Sequence, residues 1–249
     1  MNRRRRVRVR PVALATALAL CAVVGCAGDA GIVTIEPGVL RVAVTTAEPT
    51  SPYDSQLWIR RYVERFASAH GLAVAWVVVP FNGSWRRAGL DEVDVVATNV
   101  ASFPDRVSEG GTFSAPFLYE RRALRIHPQD LSRYAHIDDF VGKRVGVVAG
   151  MAAERDVRRR APVGVEVVTV SSFPELYALF DRGEVDAIAE AEYYALDGSI
   201  IPSHGPEVVL IDLHDLTEGQ REESVFVVRD DSTGLLEAVN AFIAKTPFP

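Results

Sequence analysis

"KRVGVVAGMAAERDVRRRAPVGVEVVTVSSFPELYALFDRGEVDAIAE" (143–190) alternates two periodicities. Residues 143–150 read as a strand closed by Gly150, 151–160 as a helix, 165–170 as a strand, 172–183 as a helix and 185–190 as a strand. The second helix has its own start signal, Ser172 with Glu175 three residues on, and stops at Gly183. "AEYYAL" (191–196) reads as the start of a further helix. Strand, helix, strand in succession means a parallel sheet covered by helices on both faces.

The same alternation lies upstream. "VLRVAVTT" (39–46) is a Val-rich strand, and "SQLWIRRYVERFASAHG" (55–71) is a helix with Trp58, Tyr62 and Phe66 on one face and Gly71 at its C-terminal cap. "LAVAWVVVP" (72–80) is a continuous apolar run, the pattern of a strand buried on both faces. "VDVVAT" (93–98) is another strand. Downstream, 207–213 and 223–228 read as strands and 232–245 as the last helix. The two runs fall before about residue 120 and after about residue 140. No Pro/Gly-rich linker separates them, which favours two closely joined lobes.

The N-terminus reads as a targeting segment. Arg3, Arg4, Arg5, Arg6, Arg8 and Arg10 precede an apolar run at 12–24 that ends in Gly25-Cys26. The run is shorter than the roughly 20 residues that span a bilayer and suits a signal peptide. The small residues before Cys26 resemble a bacterial lipobox, which implies cleavage after residue 25 and lipidation of Cys26. The competing reading is an ordinary signal peptide with a stray Cys. Residues 26–37 then form a tether. Losing the six arginines of 1–25 leaves 21 basic against 33 acidic residues, a balance of −12. Such a surface disfavours nucleic acid and anionic lipid as partners. The remaining segment has no second Cys for a disulfide, so its stability must come from its core.

Five stretches, in order, resemble the bacterial extracellular solute-binding proteins of family 3: 38–46, "VDVVATNVASFPDRVSEGGTFSAPF" (93–117), "IDDFVGKRVGVVAG" (137–150), "LYALFDRGEVDAIAEA" (176–191) and 225–243. The resemblance implies an α/β fold of periplasmic-binding-protein type 2, with lobe 1 at 38–120 plus 209–249 and lobe 2 at 121–208. Each lobe would be a mostly parallel sheet flanked by helices. The hinge crossings would lie near Tyr119–Leu124 and Leu210–Leu213. It also implies a monomer on the outer face of the cell membrane that delivers a small polar solute to an ABC permease. Residues 211–243 resemble, besides, the N-terminal module of the F-type membrane-bound lytic transglycosylases. That likeness supports a second expectation, a wall-sensing module that binds muropeptides. The catalytic domain of those enzymes has no counterpart in 1–249, so no bond cleavage is expected. Family members continue with another helix after the one at 232–245, so the first lobe is expected to lack a packing element.

The resemblance implies site residues position by position. Arg106 of Pro104-Asp105-Arg106 matches the arginine that holds a ligand carboxylate, a task suited to its planar fork. Its competing reading is a solvated residue on the first turn of a helix. Thr98 and Asn99 match cleft-facing small residues. The hydroxyls before the Pro-acid-Arg are replaced by Ala101 and Phe103. Met151 and Ala152 replace the hydroxyls of the second lobe, although the N–H groups of a helix starting there suit an anion. The ammonium-pairing acid matches Ala191, flanked by Glu190 and Glu192. A one-residue slip at the strand end keeps Glu192 a candidate against a plain solvated charge. Tyr53 is the candidate lid aromatic, and Trp58 reads as core.

Other chemistry finds little support. The histidines show no HExxH spacing, and there is no G-x-S-x-G elbow or P-loop. Asp212, His214 and Asp215 are a weak metal alternative that a turn at a strand end explains. No metal or other cofactor is expected, and no enzyme activity.

Overall fold

The computed structural model describes residues 31–49, 52–106, 111–214 and 221–249, so Cys26 and Asp215 lie outside the described residues. Helix α1 (Ser55–Ala69) shows how the sequence sets its own elements. Asp54 caps it by accepting the Gln56 N–H at 2.8 Å, and Trp58, Ile59, Tyr62, Val63 and Phe66 form its buried stripe. It ends at His70, followed by Gly71 at φ 66. Strand β1 (Val39–Val44) precedes it, and β2 (Ala73–Val78) and β3 (Val95–Ala101) follow.

The chain continues through β4 (Gly111–Phe113), β5 (Leu118–Ile126), β6 (Arg144–Val148), α2 (Ala152–Arg160), β7 (Glu166–Val170), α3 (Phe173–Asp181), β8 (Ala187–Tyr194), β9 (Ile200–Ile201), β10 (Val209–His214), β11 (Glu222–Arg229) and α4 (Leu235–Lys245). Two parallel groups, β2-β1-β3 and β7-β6-β8, match the expectation of two lobes. They are not separate sheets. Antiparallel strands β11 and β5 join them edge to edge in the order β2-β1-β3-β11-β5-β8-β6-β7, and β10 pairs with β5. Backbone pairing is therefore continuous from one half to the other.

Three readings of the sequence need correction. Residues 191–194 do not open a helix: they extend β8, paired with β5 from Ile126↔Ala187 to Tyr119↔Tyr194. Two adjacent tyrosines suit a strand, and the eight-pair ladder overrides the local helical pattern. Strand β2 is an edge, not a doubly buried strand; Ala73 and Val78 are exposed, and the Arg60 guanidinium covers Trp76 at 4.4 Å from the ring centroid. The first half also has a packing element at its C-terminal end. Phe248 is buried against Tyr62 and Phe117, with ring centroids at 5.2 and 5.1 Å, and the Tyr62 hydroxyl donates to Thr246 O at 2.8 Å.

Each half has its own apolar core. Leu40, Ile59, Tyr62, Phe66, Phe226 and Leu235 belong to that of the first, and Leu124, Phe140, Val145, Val147 and Val157 to that of the second. Buried polar side chains lie on β3, β5, β8 and β11, among them Asn99, Glu120, Arg122, Glu190 and Glu222.

Candidate functional site

All seven residues of β3 are buried, so a polar side chain on it needs an internal partner. Thr98 shares a 2.7 Å hydrogen bond with Ser84, which is equally buried. Asn99 sits at φ 63, in the left-handed region that is costly for any residue but glycine. Its Nδ2 donates to Glu120 Oε1 at 2.7 Å and lies 3.4 Å from the Tyr193 hydroxyl; its Oδ1 is buried without a partner.

Beyond β3 a 3-10 turn, Pro104–Arg106, sends the Arg106 side chain back inward, where it is 0% exposed. This excludes the solvated reading. Its guanidinium lies 4.8–5.5 Å from the ring centroids of Phe81, Trp85 and Phe103. Nη2 donates to Gly150 O at 2.5 Å and Nη1 reaches Ala101 O at 3.5 Å, while Nε has no partner. Among the described residues no carboxylate pairs with it. Burial, and then repulsion from Arg155, push its pKa down to about 10, which still leaves it cationic at neutral pH.

Gly150 closes β6 on the opposite side of the seam, at φ 77. A Cβ there would stand 2.7 Å from Asn82 Oδ1, so the close approach requires glycine. The start of α2 was expected to offer N–H groups to an anion, but this chain fills part of that place itself. Gly150 N–H donates to Glu154 Oε2 at 2.6 Å and Met151 N–H to Val148 O at 3.2 Å. Ala152 is buried behind them, and Met151 packs its side chain against apolar clusters from both halves. At the rim, Arg155 of α2 grips Asp105 with two bonds of 2.8 and 2.7 Å.

A second polar group lies on β5 and β11, where register puts Glu120 directly opposite Glu222. Like charges across a ladder repel. Arg122, two residues from Glu120 on the same face, answers both: it pairs closely with Glu120 and lies 2.9 Å from Glu222 Oε2. Glu120 also accepts from Ser224 Oγ at 2.6 Å. Burial works against the charge on Arg122, but the two carboxylates more than offset it and raise its pKa. Glu222 is 4% exposed, and despite the nearby Arg122 neither of its oxygens has hydrogen-bond geometry to a donor among the described residues. Burial pushes its pKa up to about 7; Arg122 opposes the rise and Glu120 adds to it. Glu120, Arg122 and Glu222 were missed in the sequence. The one signal was an acid and a base two apart on one face of a strand.

The remaining sequence candidates are scattered. Glu192 is half-buried and accepts from the Tyr194 hydroxyl; among the described residues it shares no partner with Arg106, Thr98 or Asn99. Its neighbour Glu190 is the buried one, with Oε1 unpartnered and its pKa raised by burial. Tyr53 is 39% exposed on the turn ahead of α1. Trp58 is core as expected, its Nε1 donating to Pro52 O at 2.9 Å. Asp212 does not sit in a turn beyond a strand but within β10, at a register shift, where Arg160 Nη1 (2.6 Å) and the Ile137 N–H (3.1 Å) occupy its carboxylate.

No protein-family model matches the sequence, and no curated protein does. Solved structures match its fold. The arginine-bound form of truncated ArgBP from T. maritima superposes with a TM-score of 0.66 at 20% identity, over 84% of this chain and 96% of that one. An amino acid ABC transporter substrate-binding protein of Streptococcus pneumoniae bound to L-arginine gives 0.66 at 19% identity, over 84% and 88%. The fold is that of a two-lobed periplasmic binding protein. An ancestral amino acid-binding protein described as a precursor of cyclohexadienyl dehydratase gives 0.66 at 18% identity, over 84% and 88%. At such identities the likeness is one of fold.

Proposed function

We propose that the protein captures a small polar solute with an acid group in the seam between its lobes, and that Arg106 receives that acid. One observation carries the reading: a fully buried arginine with no carboxylate partner among the described residues and a free Nε. A buried cation without a counter-charge costs several kcal/mol. A ligand carboxylate would supply the missing charge and two acceptor oxygens to the guanidinium fork. Thr98, Asn99 and the Gly150–Ala152 corner would form the walls, with Tyr53 near the mouth. Two of the solved neighbours are arginine-bound and a third is described as amino acid-binding, which makes amino acids the first compounds to try.

The lobes would comprise 38–120 plus 209–249 and 121–208, turning about β5 and β10. The Arg106–Gly150 bond and the Asp105–Arg155 pair both cross the seam, so entry requires that they open. Lipidation at Cys26 would hold the protein on the outer face of the cell membrane, as a monomer delivering its solute to an ABC permease. Binding rather than catalysis is the role. Calorimetry with amino acids and small carboxylates tests it: Arg106→Ala should weaken the best ligand at least a hundredfold. Equal binding to wild type and variant sinks the assignment of Arg106, and a response to muropeptides alone would turn the reading toward wall sensing.

A further inference from the structure

Strands β5 and β11 carry the backbone pairing from one half to the other, and their register sets Glu222 directly opposite Glu120. Both are 4% exposed, and Arg122 is the one cation within ion-pair distance of either among the described residues. Asn99 and Ser224 add donors to Glu120. The Glu222 oxygens have none in hydrogen-bond geometry among the described residues. A buried carboxyl so placed is costly as an anion beside a second carboxylate, and far less so as a neutral acid. Glu222 is faced by Glu120 and Arg122 from β5, by Arg106 from the turn after β3, and by Arg155 and Asp156 from α2. Its chain neighbours Arg221 and Glu223 are exposed. Of the facing groups, Arg155 and Asp156 are engaged by Asp105 and Arg160. Groups of both halves therefore bear on Glu222, and the Arg106–Gly150 bond of 2.5 Å joins those halves.

We propose that Glu222 is a proton-operated latch of the seam: with a proton it stays buried beside Glu120 and the lobes close, and without one it drives them apart. The latch rests on the reading of two lobes that part at the seam, and it needs no ligand. Parting the halves admits water to Glu222 and returns it to the ordinary carboxylate range. Closing them pushes its pKa up to about 7, through burial first and then Glu120 and Asp156 against Arg122 and Arg106. Closure therefore takes up a proton. Its contribution is fully present below pH ~4.5 and is lost as pH rises through ~7. From about pH 5.5 to about pH 8.5 the closing equilibrium should fall by up to roughly thirtyfold. A solute held in the seam would then be kept more firmly in an acid medium.

The test is hydrogen exchange on the full chain without ligand. Ala152 and Ala153 are buried in the first turn of α2, where N–H groups have no intrahelical partner, so their exchange reads the opening of the seam. Corrected for the intrinsic pH dependence of exchange, their protection should fall by up to roughly thirtyfold over that range in wild type. Glu222→Gln, which keeps the shape without the charge, should hold the low-pH protection throughout. Glu190→Gln, which removes a buried acid of β8, should leave the fall intact. Infrared spectra of wild type need no variant, and should lose the carbonyl stretch of a buried neutral carboxyl over the same range. Protection that is flat with pH in wild type overturns the latch. So does an undiminished fall in Glu222→Gln, or an infrared band that does not change. None of these results touches the role of Arg106, which calorimetry on Arg106→Ala decides separately.

Discussion

The molecule contains two triads of the same composition, one arginine between two carboxylates, one buried in the seam and one half-buried in the second half, and they are built to opposite standards. In the second half, Arg160 donates to Asp156 Oδ1 at 2.8 Å, to Asp156 Oδ2 at 2.5 Å and to Asp212 Oδ2 at 2.6 Å, and the Ile137 N–H adds a bond at 3.1 Å. Burial opposes the charge of Arg160, but these bonds hold its pKa above the usual value. In the seam, among the described residues, Arg122 Nε has no partner and Glu222 is an ion-pair neighbour of Arg122 at 2.9 Å without hydrogen-bond geometry. Complete satisfaction ties α2 to β10 as framework. Among the described residues the seam triad is the less completely satisfied of the two.

The largest effect that separates the triads is on stability. Arg160→Met leaves Asp156 buried without its counter-charge and should cost about 3–5 kcal/mol, read by urea denaturation. Glu222→Gln should cost far less, because it removes an acid whose oxygens make no hydrogen bond. Equal losses would mean the two triads are both framework, and the comparison would fail.

A smaller effect sharpens the same contrast through pH. The pKa of Glu222 is raised in the folded state, to about 7 from the ordinary 4.5. The folded protein therefore binds this proton more tightly than the unfolded chain. The associated stability is fully present below pH ~4.5 and is lost as pH rises through ~7, by on the order of 2–3 kcal/mol. The difference in unfolding free energy between wild type and Glu222→Gln, followed from pH 4.5 to 8, should move toward the variant by that amount. A flat difference would show that Glu222 is not held in the environment described.

How much of this was legible in the sequence divides along the line between local and paired information. Helix α1, the β6–α2–β7–α3 run and the burial of Trp58 follow from periodicity and caps, which are properties of contiguous residues. Arg106 came instead from the resemblance of the contiguous Pro104-Asp105-Arg106 to the family's pattern. The Glu120–Glu222 opposition depends on register between strands a hundred residues apart, and no local pattern encodes that register. Glu190 and Glu192 lie two apart on one face of β8, and which of them is buried depends on what packs over that face, which no local pattern encodes. The continuous apolar run of β2 looked doubly buried because the sequence does not reveal that Arg60 will cover an edge strand.

The smallest effect concerns the rim, and it tests whether the seam is held by its interior or by its edge. The Asp105–Arg155 pair is bidentate, but Asp105 is mostly exposed, and Arg155 holds its carboxyl below the usual range. Exposed pairs contribute only about 0.2–1 kcal/mol, and salt screens them. Asp105→Ala should therefore lower stability by no more than that, with the loss shrinking in 0.5 M salt on the order expected for a ~4–5 Å Debye length. Its effect on binding should be mainly kinetic. With the rim pair gone and Arg106 untouched, ligand exchange should speed up severalfold in stopped-flow measurements. A loss of binding as deep as that of Arg106→Ala would instead place the decisive charge at the rim, where solvent rather than burial sets its strength.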